Sequence, residues 1–88
     1  MPRLEINLTK NTSLSITIIC EILGISKSEF LRVALFKYIV DILKENKLSD
    51  TDKNYIHSLL LLSINELSDL ELNPKFKQEI LNSLLLIT

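Results

Sequence analysis

Hydrophobic and polar residues alternate near the start of the chain, over residues 3–9. Leu4, Ile6 and Leu8 occupy every second position, which is the period of a β-strand with one apolar face. A single strand leaves the backbone donors and acceptors along both of its edges unpaired. Because the rest of the sequence contains no second strand pattern, we expect this strand to pair with the same strand of a second copy.

After this segment the apolar residues recur at the spacing of a helix. Residues 10–13 are polar and include good N-cap residues, and Leu14, Ile18 and Ile22 then follow at intervals of one helical turn. Gly24, the one glycine of the sequence, comes where a left-handed C-cap is expected. The pattern predicts a first helix that begins at Leu14 and ends before Gly24.

A second helix is predicted from Ser26 to about Lys44. Ser26 and Glu29 have the spacing of a capping box, in which each residue satisfies a backbone N–H group of the other. Apolar residues occupy most of the following positions and leave little polar face. A helix that is apolar nearly all round is typically buried on several sides.

Two further helices are predicted in the C-terminal half, after a polar break over residues 44–47. Ser49 is followed by acidic residues that suit the positive end of a helix dipole, so a third helix should run from there to about Glu66. Asn73 and Pro74 together predict the start of a fourth helix, with Asn as the cap and Pro at the first helical position.

Residues 3–9 (Arg-Leu-Glu-Ile-Asn-Leu-Thr) and residues 23–35 (Leu-Gly-Ile-Ser-Lys-Ser-Glu-Phe-Leu-Arg-Val-Ala-Leu) together resemble the ribbon-helix-helix family, of the Arc and MetJ repressor type. The resemblance covers about the first half of the chain. It implies a mainly α fold, in which one N-terminal strand pairs antiparallel across a homodimer and two helices follow, here with two extra C-terminal helices. We accordingly expect residues 1–47 to be a DNA-binding and dimerisation unit, and residues 48–88 to be a helical extension packed on it.

The same resemblance implies a regulator that binds double-stranded DNA in a sequence-specific way, as a transcriptional repressor or a plasmid or viral copy-control protein. A two-stranded ribbon fits the major groove, where each base pair presents a distinct pattern of donors and acceptors. Arg3, Glu5 and Asn7 would then contact base edges, and the start of the second helix would hold a backbone phosphate. The residues expected to contact phosphates are Ser26, Lys27, Ser28 and, at the end of the ribbon, Lys10.

The charges of the chain are unevenly distributed, although its net charge is −1. Residues 1–48 carry seven Lys and Arg against five Asp and Glu, whereas residues 49–88 carry three Lys against six acids. The distribution of charge matters more for nucleic-acid binding than the total does. It places the basic half at the N-terminus, although Glu5 would repel phosphates unless a cytosine or a neighbouring arginine satisfied it.

The chain is short and 47% of it is hydrophobic. Small chains without disulfides often complete their core by oligomerisation, so a homodimer is the first expectation. The apolar C-terminal helices leave three alternatives open: they cap the first half, join dimers into higher oligomers, or bind a protein partner. The last defines a second functional hypothesis, a protein-interaction module of the antitoxin or assembly-factor type.

Residues that could carry catalysis are sparse. Cys20 lies in an apolar stretch without a second cysteine, which indicates a small buried hydrophobe in a reducing cytoplasm. His57, the one histidine, has no partners at metal-ligand spacing, and a single glycine excludes a Gly-rich phosphate loop. We therefore expect no enzymatic activity, cofactor or metal. Apolar runs such as residues 59–62 and 84–87 are far shorter than the ~20 residues that span a bilayer, so no membrane segment is expected.

Overall fold

The structure, a computed structural model, describes residues 7–45 and 47–87. Three of its helices pack against one another around a common core, and the remaining, N-terminal helix packs on the second helix. The helices are α1 (Lys10–Leu23), α2 (Lys27–Lys44), α3 (Asp50–Glu66) and α4 (Pro74–Leu85).

The predicted ribbon-helix-helix fold is wrong: residues 7–45 and 47–87 contain helices and no β-strand. The end of the predicted strand leads directly into α1. Thr9 is extended, with φ −67° and ψ 158°, because it is the N-cap of α1, and its Oγ1 accepts a hydrogen bond from the Thr12 N–H at 3.2 Å. Residues 3–6, the remainder of the predicted strand, lie outside the described residues.

The polar residues 10–13 form the first turn of α1 rather than a turn before it, so the helix begins at Lys10 and not at Leu14. The physical reason is local, because Thr9 is a good N-cap. Its Oγ1 and its carbonyl oxygen accept from the N–H groups of Thr12 and Ser13, which satisfies backbone donors of the first turn and allows the helix to start at Lys10.

The predicted helix boundaries at the three later starts are confirmed. Ser26 caps α2 by accepting from the Glu29 N–H, Ser49 caps α3 in the same way, and Asn73 caps α4 with Pro74 in the first turn. Gly24 is left-handed, with φ 69°, and its N–H donates to the carbonyl of Cys20 at the end of α1. A side chain at this position would be strained, which explains the glycine.

The core lies between α2, α3 and α4. Each helix contributes one stripe of apolar side chains, and the loop before α4 adds a fully buried leucine. The buried core residues are Val33, Val40, Leu43, Leu60, Ile64, Leu72, Ile80 and Leu84. The apolar stripes of the C-terminal helices are therefore used mainly within the chain, against α2.

A buried carboxylate ties the first turn of α2 to the start of α4. Glu29, the buried charged residue among the described positions, accepts a hydrogen bond on Oε1 from the Asn73 N–H at 3.0 Å. Arg32 donates from Nη1 to the carbonyl of Glu71 at 2.8 Å. The Ser68 N–H donates to the Glu71 carboxylate and lowers its pKa. The Glu29 side chain thus holds the α3–α4 loop rather than completing the capping box expected from its spacing with Ser26.

Candidate functional site

The residues predicted to contact DNA bases are not arranged as a ribbon. Asn7 is exposed and lies outside any strand, two residues before the cap of α1. Arg3 and Glu5 lie outside the described residues. Readout of bases by a paired ribbon face therefore has no support in the described part of the fold, and the DNA-binding role itself stays an untested prediction.

The residues predicted to contact phosphates fall at two separate places. Ser26, Lys27 and Ser28 are exposed at the start of α2, where Ser26 is engaged as the cap. Lys10 is exposed at the opposite end of α1, about 20 Å along the helix axis from its last residue. Within one chain these side chains do not converge on a single phosphate.

Large apolar side chains of α1 face solvent instead of the core. Leu14, Ile18 and Ile22 follow one another at intervals of one turn, and Ile18 and Ile22 are 56% and 77% exposed. Cys20 is the buried residue of this helix, and among the described helices α1 contacts α2 alone. Contiguous exposed apolar surface of this kind marks sites of interaction rather than ordinary solvated surface.

A second exposed apolar stripe runs along α2, on the side opposite the core. It consists of Leu31, Leu35, Tyr38 and Ile42, and we call it the outer stripe of α2. The intervals of four, three and four residues are those of a coiled-coil seam. Leu35 is 50% and Tyr38 67% exposed, while the two end residues are half-buried. We predicted that α2 is buried on several sides. The face that contains Val33 and Val40 is buried, whereas the face that contains Leu35 and Tyr38 is exposed.

The outer face of α3 carries a shorter series of apolar residues. Tyr55, Leu59 and Leu62 are exposed at helical spacing. The positions that would extend the series by one turn in each direction are acidic, Asp52 and Glu66. The apolar series of α3 is therefore three residues long and has an acid at each end. The outer stripe of α2 is four apolar residues long.

Two cavities lie among the described residues, and neither lining indicates one class of ligand. One, of about 260 Å³, is an apolar groove between the end of α1, α2 and α4. The other, of about 630 Å³, is an open cleft beside His57 that is lined by both acidic and basic residues. The His57 Nε2 lies 2.9 Å from the carbonyl of Leu84, so this ring is engaged in holding the end of α4.

Metal and membrane sites receive no support from the described residues. Within 7–45 and 47–87, no group of three or more His, Cys, Asp or Glu side chains is arranged to hold a metal ion. In the same part of the chain, none of the helices combines the length and the apolarity that a bilayer crossing needs.

No family model, curated protein or solved structure matches the chain. Its class is therefore described by the fold itself. Helices α2, α3 and α4 surround one core, and the amphipathic helix α1 packs on α2.

The outer stripe of α2 was not among the predicted features, although its signal is present in the sequence. The apolar residues of α2 form two series at coiled-coil spacing, one containing Val33, Phe36 and Val40 and the other containing Leu35 and Tyr38. Counted together, they describe a helix with no polar face. Separated by their spacing, they describe a helix with two distinct apolar faces, one in the core and one facing solvent.

Proposed function

We propose that the chain is a protein-interaction module that forms a homodimer through α1 and the outer stripe of α2. The observation that carries the proposal is the apolar face of α1, whose residues Leu14, Ile18 and Ile22 are all more than half exposed although the helix contacts α2. A helix whose apolar residues face water gains little from folding. A second copy of the chain offers these side chains a place to be buried.

The composition of α1 supports the same conclusion. Isoleucine occurs at four of its positions, and β-branched residues are poor intrinsic helix formers. Such a helix depends on tertiary packing for its stability, yet within the described fold it buries Cys20 and leaves most of its large apolar residues exposed. Dimerisation would supply the packing that a single chain lacks.

The magnitudes indicate that both helices take part. Fully burying a Leu or Ile side chain contributes about 1.5–3 kcal/mol, so burying the exposed half of one contributes about 1 kcal/mol. Association costs about 4–15 kcal/mol in lost freedom of motion. Leu35 and Tyr38 from two copies therefore contribute too little by themselves. Addition of the α1 residues from both copies brings the gain into the range of the cost.

A second copy is favoured over a different protein by the lack of charge on this surface. Lys10 and Glu21 are the charged residues of α1, and the outer stripe of α2 has none. Two copies of a surface without charges do not repel each other, whereas a different protein is typically selected by patches of complementary charge. Two-fold pairing of identical apolar surfaces is also the commonest form of association between copies of one chain.

Sedimentation equilibrium over a range of micromolar concentrations tests the proposal. We expect the wild-type chain of 10.1 kDa to sediment with twice that mass. The Ile18→Ser/Ile22→Ser variant should shift towards the monomer, because it removes apolar area from both sides of the interface.

The matched control is Tyr55→Ser/Leu62→Ser, which makes the same kind of change on the outer face of α3. We expect this variant to remain dimeric. A wild-type chain that stays monomeric at every concentration would overturn the proposal, as would dissociation by the α3 variant with no effect of the α1 variant.

A further inference from the structure

We infer that, in the proposed dimer, the outer stripe of α2 pairs in an antiparallel orientation with the outer stripe of a second copy. This inference rests on the proposed function and adds the identity and orientation of the central contact. It is carried by three features of the described residues: the spacing of the stripe, the charges beside it, and the difference between α2 and α3.

The spacing of the outer stripe reads the same from either end. Its residues follow at intervals of four, three and four, so a two-fold axis midway between Leu35 and Tyr38 brings every apolar residue level with another. Leu35 then lies level with the partner's Tyr38, and Leu31 with the partner's Ile42. In a two-fold contact each residue pair occurs twice, so this one register matches all eight side chains.

The charges beside the stripe favour the antiparallel orientation. In a parallel, in-register pair the flanking positions five residues apart face each other, which would set Lys27 against the partner's Arg32 at both edges. Like charges at such positions oppose association. In the antiparallel pair Arg32 instead falls near the partner's Ile39, and Asp41 near the partner's Ala34, so no like charges meet beside the stripe.

The corresponding surface of α3 fails the same test. Continuation of its apolar series by one turn reaches Asp52 at one end and Glu66 at the other. An antiparallel register that levels two of the three apolar residues sets the third against an acid: Tyr55 against the partner's Glu66, or Leu62 against the partner's Asp52. Parallel pairing sets each acid against itself. Either orientation therefore leaves an acid opposite an apolar residue or a like charge, which distinguishes α3 from α2 as a site of self-association.

Disulfide formation between introduced cysteines tests the orientation. All variants carry Cys20→Ala, so that the native thiol takes no part. In an antiparallel pair, residue 31 is level with the partner's residue 42, whereas the two copies of residue 31 lie about 16 Å apart along the axis. A disulfide needs Cα atoms within about 7 Å. In an equal, co-refolded mixture of Leu31→Cys and Ile42→Cys about half of the chains pair as mixed dimers, so oxidation should move about half of the monomer band to the cross-linked band. Leu31→Cys alone should keep its monomer band.

A Leu59→Cys variant on α3 gives the background from random collisions, and sedimentation of the Cys20→Ala chain shows whether the dimer is present. Cross-linking of the mixture above this background, without cross-linking of Leu31→Cys alone, supports the inference. Efficient cross-linking of Leu31→Cys alone would indicate a parallel pair and overturn it. A dimer in which neither sample exceeds the background would also overturn it while leaving the proposed function standing, whereas absence of any dimer would remove both.

Discussion

The Leu35→Asp variant is expected to be monomeric at concentrations at which the wild-type chain is dimeric. Leu35 lies next to the proposed two-fold axis and is half exposed in the single chain, so its side chain is available to a partner. Truncation of a hot-spot residue near the centre of an interface costs about 2 kcal/mol or more, and about 1.4 kcal/mol corresponds to a tenfold change in affinity. An aspartate adds the cost of burying an unpaired charge, twice in each dimer. The dissociation constant should therefore rise by at least about 30-fold, which sedimentation velocity measures directly.

The control for this variant is Leu59→Asp. Leu59 is 46% exposed on α3, close to the value for Leu35, so the two variants place the same charge at similarly exposed helical positions. We expect Leu59→Asp to dimerise as the wild type does and both variants to keep the helical content of the wild type by circular dichroism. If Leu59→Asp dissociates the dimer and Leu35→Asp does not, the partner surface lies on α3.

The Ile64→Ala variant is expected to lose about 2–5 kcal/mol of unfolding free energy, the range measured for large-to-small changes in cores. Ile64 is fully buried on α3, between α2 and α4. Small domains are stable by only about 5–15 kcal/mol, so the variant should unfold at a clearly lower urea concentration. Urea titrations should be made in the Leu35→Asp background, so that association does not contribute.

The same change at Ile22 provides the comparison. Ile22 is a helical isoleucine like Ile64 but is among the most exposed apolar residues of α1. In the monomeric background we expect Ile22→Ala to alter the free energy of unfolding by no more than about 0.5 kcal/mol, as for ordinary surface positions. Equal losses of unfolding free energy for the two variants would mean that α1 belongs to the core of the single chain. A second copy would then not be needed to bury the α1 side chains.

Local signals predicted the starts of α2, α3 and α4 and the end of α1, because each of these boundaries depends on a few adjacent residues. Ser26, Ser49 and Asn73 accept backbone hydrogen bonds within their own turns, and Gly24 supplies a left-handed conformation that other residues adopt at a cost. Such interactions are readable from the sequence, since their partners lie within four residues.

The N-terminal prediction failed because the alternation over residues 3–9 is short and its interpretation required a partner strand. Thr9 belongs to that pattern and is equally a good N-cap, and in the structure its Oγ1 takes the second role. A pattern of three apolar positions could not decide between these outcomes. The interpretation as a ribbon also placed Asn7 in a strand, whereas in the described part of the chain Asn7 lies outside any strand.

The candidate surface could be predicted only in part, because which apolar face a helix buries depends on contacts between distant residues. The sequence shows that α2 is apolar on nearly every side, but not that Val40 faces the core while Tyr38 faces solvent. In the same way, the link between Glu29 and Asn73 joins residues that are far apart in the chain. The spacing of Ser26 and Glu29 had instead assigned the Glu29 side chain to the cap of its own helix.

The most direct test of the homodimer is an isotope-filtered nuclear Overhauser experiment on a co-refolded mixture of ¹³C-labelled and unlabelled chains, because it detects contacts between copies and no others. We expect intermolecular signals from the methyl groups of Leu35 to the ring of Tyr38 and between the methyl groups of Leu31 and Ile42, together with signals from Ile18 or Ile22 on α1. Intermolecular signals confined to Leu59 and Leu62 on α3, or none at concentrations well above micromolar, would contradict it.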